Sequence, residues 1–134
     1  VSLAFGERGQ MPVEVYERLL HDKLESNMGM VMENIVAQML MAAGHKLFFY
    51  NHIDRKDASN DMEIDFLITK SIITSRKNIC PIEVKSSTSF TITSLEKCMS
   101  KFNQSIGHAY VLHTGDVQLT DKITYLPLYM TGLL

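Results

Sequence analysis

The chain has 134 residues, of which 46% are hydrophobic and 21% charged, and carries a formal net charge of −2. That is the balance of one globular domain with one core, and no apolar run reaches the roughly 20 residues of a membrane span. A net negative surface does not favour wholesale nucleic-acid binding, although Lys70, Arg76, Lys77, Lys85, Lys97 and Lys101 fall in one half of the chain.

Residues 1–11 read as a loop around Gly6 and Gly9, and the opening Val1-Ser2-Leu3-Ala4-Phe5 reads as the interior of a longer protein. The chain is therefore expected to be a fragment of one. Pro12 suits the first turn of a helix. Val13, Tyr16, Leu20 and Leu24 then recur at helical spacing, which predicts a helix over 12–25. Ser26, Asn27 and Gly29 break it. A second helix is predicted over 29–43. Val31, Met32, Ile35, Val36, Met39, Leu40 and Ala43 make most of its circumference apolar, so burial on more than one side is expected. Asn34, Gln38 and Met41 mark its more exposed stripe. Glu33 lies off that stripe, in line with Ala37, Leu40 and Gly44. It is a carboxylate on a mostly buried helix. Gly44 suits the position after the helix end.

Lys46 to His52 is dense in aromatics and reads as a strand. Ile53 to Asp61 is polar and aperiodic, and is expected to be a long, mobile connection. Residues 62–69 form the next strand. Alternation puts Met62, Ile64, Phe66 and Ile68 on one face and turns Asp65 away from them. Residues 70–78 are ambiguous: Ser71 to Thr74 fits a strand, Ser75 to Asn78 a turn. Residues 79–86 form a third strand, with Ile82, Val84 and Ser86 on one face and Glu83, Lys85 and Ser87 on the other. Three strands in succession with such connections argue for an antiparallel meander.

After a polar connector, Thr93 and Glu96 fit a capping box that opens a helix at Ser94. Leu95, Cys98 or Met99, Phe102 and Ile106 mark its buried face, and Gly107 ends it. His108 to His113 is a strand, so a helix links two strands, as in a crossover to a parallel neighbour. Ile123 to Tyr125 reads as a short last strand and Pro127 to Leu134 as a terminal helical turn. The class is α/β, a mixed sheet of meander plus parallel strand with helices on both faces.

If the second and third strands pair, Asp65, Glu83 and Lys85 converge. Hydrolysis of a phosphodiester near neutral pH uses a divalent cation that polarises the phosphoryl group and lowers the pKa of the attacking water. Mg2+, or Mn2+ in its place, takes one or two carboxylates plus waters and substrate oxygens. Asp65 and Glu83 supply the carboxylates in this reading, and the Val84 carbonyl adds an oxygen. Lys85 orients the water or stabilises developing negative charge. Glu33 is a further ligand if its helix packs across the same edge. The competing reading is a solvated Glu83–Lys85 pair beside one more surface carboxylate. Glu-x-Lys alone is weak, but Asp in an apolar strand, Glu-x-Lys on the next and Glu on an upstream buried helix is stronger.

The remaining residue types argue for little else. His21, His45, His52, His108 and His113 are scattered without zinc-helix spacing. Cys80 and Cys98 lie outside any CxxC or His-rich setting and read as free thiols of a cytoplasmic protein. No GxSxG surrounds a serine, and Gly6 and Gly9 make no phosphate loop. Gln104 is expected on the solvent side of its helix.

The run Gly29-x-x-x-Glu33-Asn34-x-Val36-Ala37-Gln38-x-Leu40, then Glu63-Ile64-Asp65-Phe66-Leu67-Ile68, then Pro81-Ile82-Glu83-Val84-Lys85-Ser86 resembles the PD-(D/E)XK superfamily, which has the restriction-endonuclease-like fold. More narrowly it resembles the C-terminal domain that follows an AAA-type ATPase module in many prokaryotic proteins, with Ser94-Leu95 at a helix start and Pro127-Leu128-Tyr129 near the end. The resemblance covers about residues 29–130 and departs from the pattern at Ile64, where Pro is usual. It implies a three-layer core, with 1–28 as the tail of a preceding region and 29–134 as the nuclease-like domain. It also implies Asp65 and Glu83 as metal carboxylates, Lys85 as the catalytic lysine and Glu33 as the helix-borne acid. Two functions follow from it: a Mg2+-dependent DNA nuclease attached to an ATPase, or a silent nuclease-like module serving nucleic-acid or protein interaction.

Overall fold

A computed structural model describes residues 28–70 and 76–134. The helix expected over 12–25 and the stretch 71–75 lie outside the described residues. Six strands form one sheet in the order β1-β2-β3-β4-β6-β5. Strands β1 (Phe48–His52), β2 (Met62–Thr69) and β3 (Ile79–Val84) make the expected antiparallel meander. Strand β4 (Ala109–His113) runs parallel to β3, and β6 (Ile123–Pro127) parallel to β4. A two-residue strand, β5 (Gln118–Leu119), closes the far edge antiparallel to β6. Short 3-10 turns span Ala58–Asn60 and Leu128–Leu133. The second is the terminal turn the sequence predicts.

One helix covers each face of the sheet. Met32, Val36 and Leu40 of α1 (Met28–Ala42) pack on Phe66, Ile68, Cys80, Ile82, Val84, Leu112 and Leu126. Leu95 and Cys98 of α2 (Thr93–Lys101) pack on Met62, Ile64, Ile106, Ala109 and Val111. Sandwiched this way, β3 is buried along nearly its whole length, which is why its sequence lacks the polar alternation of a half-exposed strand. Gly44 ends α1 with φ 92°. Its N–H bonds the Met41 carbonyl while the His45 N–H bonds that of Leu40, the paired closure that favours glycine after a helix. No helix among the described residues is long and apolar enough to cross a membrane.

Several expectations are corrected. α1 buries Met32, Val36 and Leu40 against the sheet and the Leu128–Leu133 turn, whereas Ile35, counted in its apolar circumference, is exposed. The apolar set of β2 does not share one face. Phe48 pairs with Leu67 but Tyr50 with Ile64, so two steps on β1 match three on β2. This is a bulge with its extra residue at 65–66. Met62 and Ile64 therefore pack under α2, whereas Phe66 and Ile68 pack under α1. The 53–61 connection is not a bare loop: Asp54 Oδ1 accepts the N–H of Lys56 at 2.8 Å and Asp61 Oδ1 that of Asp54 at 2.7 Å. The capping box is absent, since Thr93 is already helical and the cap position falls on Ile92, which offers no side-chain acceptor. α2 stops at Lys101, and Ile106 reaches the core through a parallel bridge to Ile79 instead. Strands β1 and β3 are shorter than the 46–52 and 79–86 expected.

Candidate functional site

The bulge in β2 creates the site. Pairing of β2 with β3 runs from Thr69–Ile79 to Phe66–Ile82 and stops. One step further on, the Val84 N–H donates to the carboxylate of Asp65, 2.7 Å from Oδ2. An aspartate side chain has replaced a strand carbonyl as the acceptor, and the two strands part beyond it. β3 stays fastened on its other side, where Glu83 and Val84 pair with Val111 and Leu112. The Lys85 N–H continues that ladder to the Leu112 carbonyl at 2.8 Å. A splayed strand thus keeps a rigid backbone under Glu83 and Lys85.

The gap opens into a cavity of about 320 Å³. Asp65, Glu83 and Val84 line its floor with Lys85; Glu33 reaches it from α1, and Thr93 and Ser94 from the start of α2. Both helix layers therefore contribute to one end of the sheet. Glu63 and Thr91 complete the wall. The expected residues Glu33, Asp65, Glu83, Val84 and Lys85 share this cavity. Val84 lines it with its N–H bonded to Asp65. Gln104 is exposed and takes no part.

Charge is concentrated here in poor surroundings for it. Glu83 is only 3% exposed. The Lys85 ammonium, on a side chain 26% exposed, stands 3.2 Å from Glu83 Oε2. That contact is an ion pair, and Lys85 is the partner Oε2 has in its buried position. Burial raises the pKa of Glu83; Lys85 opposes this, and Asp65 and Glu63 add to it. Burial also raises Asp65, against the pull of the Val84 N–H and of Lys85. Glu33 is raised by burial and then by Asp65 and Glu63. Glu33, Asp65 and Glu83 each hold a proton more tightly than in water, through burial first and neighbouring carboxylates second. Among the described residues, no group of three or more His, Cys, Asp or Glu side chains is arranged to hold a metal ion. Any cation must rely on a pair of carboxylates.

Sequence reasoning missed Glu63, Thr91, Thr93 and Ser94. Glu63 was visible in the alternation, on the same nominal face as Asp65. The hydroxyls were hidden by the reading of Thr93 as a cap. The cysteines are free and buried, and burial pushes the Cys80 thiol up to about 11, so neither is reactive.

The model of a family described as a domain of unknown function, DUF4143, matches residues 28–130. That span runs from the first residue of α1 into the final 3-10 turn. No curated protein and no solved structure matches the chain.

Proposed function

The chain belongs to the DUF4143 family, and within it we propose a divalent-cation-dependent, nuclease-like domain that hydrolyses DNA phosphodiesters as part of a longer protein carrying an ATPase module. The ATPase and the PD-(D/E)XK likeness rest on the residue pattern read from the sequence. The observation that carries the chemistry is the convergence of Asp65 and Glu83 on one cavity, where the buried Glu83 has the Lys85 ammonium 3.2 Å from Oε2. Two buried carboxylates beside a single ammonium leave negative charge that a bound cation would neutralise. Mg2+ fits the pair, because it needs one or two protein carboxylates and keeps its waters; Mn2+ is its usual substitute.

When bound, such a cation polarises the phosphoryl group and supplies an activated water. The chain's own residues do the rest. Asp65 and Glu83 would hold the cation, and Glu33 would reach it through water. The Val84 N–H fixes one Asp65 oxygen and leaves the other to ligate. Lys85 presents its ammonium where negative charge develops on the phosphoryl oxygens.

Isothermal titration with Mg2+ or Mn2+ tests the cation site. Binding by wild type and loss in Asp65→Asn support it, and equal heats sink it. Asn is preferred to Ala because its amide oxygen still accepts the Val84 N–H. Cleavage of plasmid and branched DNA then tests activity, with Lys85→Ala expected to lose about 10²-fold or more. One observation favours a silent interaction module instead: four carboxylates against one lysine in the cavity repel a phosphate backbone unless a cation is present. Under that reading wild type and Lys85→Ala are equally inert.

A further inference from the structure

The two edges of the sheet differ. β5 is two residues long, too short to template another strand. β1 has five residues, Phe48 to His52, without a proline, and exposes Phe48 to 42% and Phe49 to 72%. An apolar edge of that length with free backbone groups is a pairing site. The ladder shows which groups are free. Pro81 has no N–H and sits opposite Leu67, while the Lys70 N–H bonds the Asn78 carbonyl. Phe66, Ile68 and Lys70 therefore bond toward β3, and Leu67 toward β1. Phe48, opposite Leu67, bonds inward, so Phe49 and Asn51 turn their N–H and C=O groups off the sheet. We infer that β1 pairs antiparallel with β1 of a second copy of this chain, about a two-fold axis at Tyr50, joining two sheets into one.

What selects a second copy is that this edge complements itself. Tyr50 is the centre of β1, and Lys46 and Asp54 lie equally far to either side of it. A two-fold axis at Tyr50 uses the whole strand and sets Lys46 opposite the partner's Asp54, twice over by symmetry. The Asp54 carboxylate is held in place for this by the N–H groups of Lys56 and Asp57 and the amide of Asn60. Neighbouring registers do worse. An axis at Phe49 sets Lys46 opposite His52, and an axis at Asn51 sets it opposite Lys56, where like charges repel. With the axis at Tyr50, Phe49 exchanges backbone bonds with the partner's Asn51. Its ring, which rests on Phe66 with centroids 5.7 Å apart, then lies diagonal to the partner's Phe49 and the partner's Ile53, within reach of an aromatic side chain. Ile53 is 70% exposed in the single chain, so the pairing covers both apolar groups. A strip this narrow buries less than the roughly 800 Å² per partner of a standard interface, so the dimer is weak and forms as concentration rises.

The test is sedimentation velocity on the full chain from micromolar to millimolar concentration, with amide hydrogen exchange on the same samples. Wild type is expected to move from a monomer of 15.2 kDa toward twice that mass, while exchange at Phe49 and Asn51 slows in step. Two variants break the pairing without touching the acidic cavity. Asn51→Pro removes an N–H that points off the sheet and leaves the β1–β2 ladder its bonds. Lys46→Asp, at an exposed position, sets like charges opposite each other. Each should weaken dimerisation about tenfold. Added salt should weaken the wild-type dimer and strengthen what remains in Lys46→Asp, since it screens an attraction in one and a repulsion in the other. If Asn51→Pro does not fold, Lys46→Asp and its salt dependence decide. The pairing is overturned by a monomer at every concentration, or by either folded variant dimerising as readily as wild type. It is also overturned by Phe49 and Asn51 amides that exchange slowly in the monomer, which would mean that the chain's own residues cover the edge.

Discussion

Two acidic regions of this domain lie a few residues apart in sequence and differ in kind. In the 53–61 connection, Asp54 accepts the N–H groups of Lys56 and Asp57 and the amide of Asn60. Asp57 accepts both the N–H and the hydroxyl of Ser59. These hydrogen bonds hold both acids below their ordinary values. In the cavity, Asp65 has one backbone donor, Glu83 has the Lys85 ammonium alone, and burial pushes both up. The loop's carboxylates are spent on folding a turn. The cavity's carboxylates cost the fold something, and a protein tolerates such groups where a ligand relieves them. Counting acids would have ranked the two alike; counting their donors separates them.

The largest effect that probes this contrast is at Asp65. Replacement by Ala removes the acceptor of the Val84 N–H and should cost about 2 kcal/mol in urea denaturation, the penalty of an unpaired, partly buried donor. Asp65→Asn keeps an acceptor and removes a disfavoured charge, so it should stay within about 0.5 kcal/mol of wild type. If Ala and Asn cost the same, the side chain is not standing in for a strand carbonyl. Glu83→Gln comes next. The neutral amide removes a charge that burial disfavours, so the variant should be about 1 kcal/mol more stable. Lys85, partly exposed, can turn to water. A loss of stability would mean that the Glu83–Lys85 attraction outweighs burial.

Much of this arrangement was legible in the sequence. The helix with its Gly44 end, the meander, the parallel fourth strand and the meeting of Asp65, Glu83 and Lys85 all follow from period, turn chemistry and order. The bulge did not, for a physical reason. Both sheet faces are roofed by apolar helices, so Met62, Ile64, Phe66 and Ile68 are buried whether or not the strand turns over between them. Alternation reports burial, and a sheet buried twice hides a change of face. The hydroxyl wall was hidden because Thr93 with Glu96 is a valid capping pattern. What decides is where the helix starts, and Thr93 falls inside its first turn. β5, two residues long, carries too little pattern to be read.

The smallest effect concerns pH, where the two regions have opposite signs. Glu83, Asp65 and Glu33 have folded pKa values above their ordinary 4.5, 3.8 and 4.5. The folded state therefore binds protons more readily than the unfolded one. Their destabilisation is present at neutral pH and is relieved as pH falls through the raised values toward the ordinary ones. Asp54 and Asp57 have folded values below their ordinary 3.8. Their contribution is intact above that pH and is lost as pH falls through the lowered values. Wild type should accordingly gain stability from pH 7 down toward 4.5 and lose it below 3.8. In Asp65→Asn/Glu83→Gln the gain should largely vanish while the acid-side loss persists. Asp54→Asn should do the reverse: the gain stays, the loss shrinks, and amide exchange at Lys56 and Asp57 quickens. Denaturation curves at a series of pH values, run on the three proteins, read both signs. Parallel curves for wild type and the double variant would show that the cavity acids are no more reluctant to ionise than the loop's, and the contrast between the two regions would be gone.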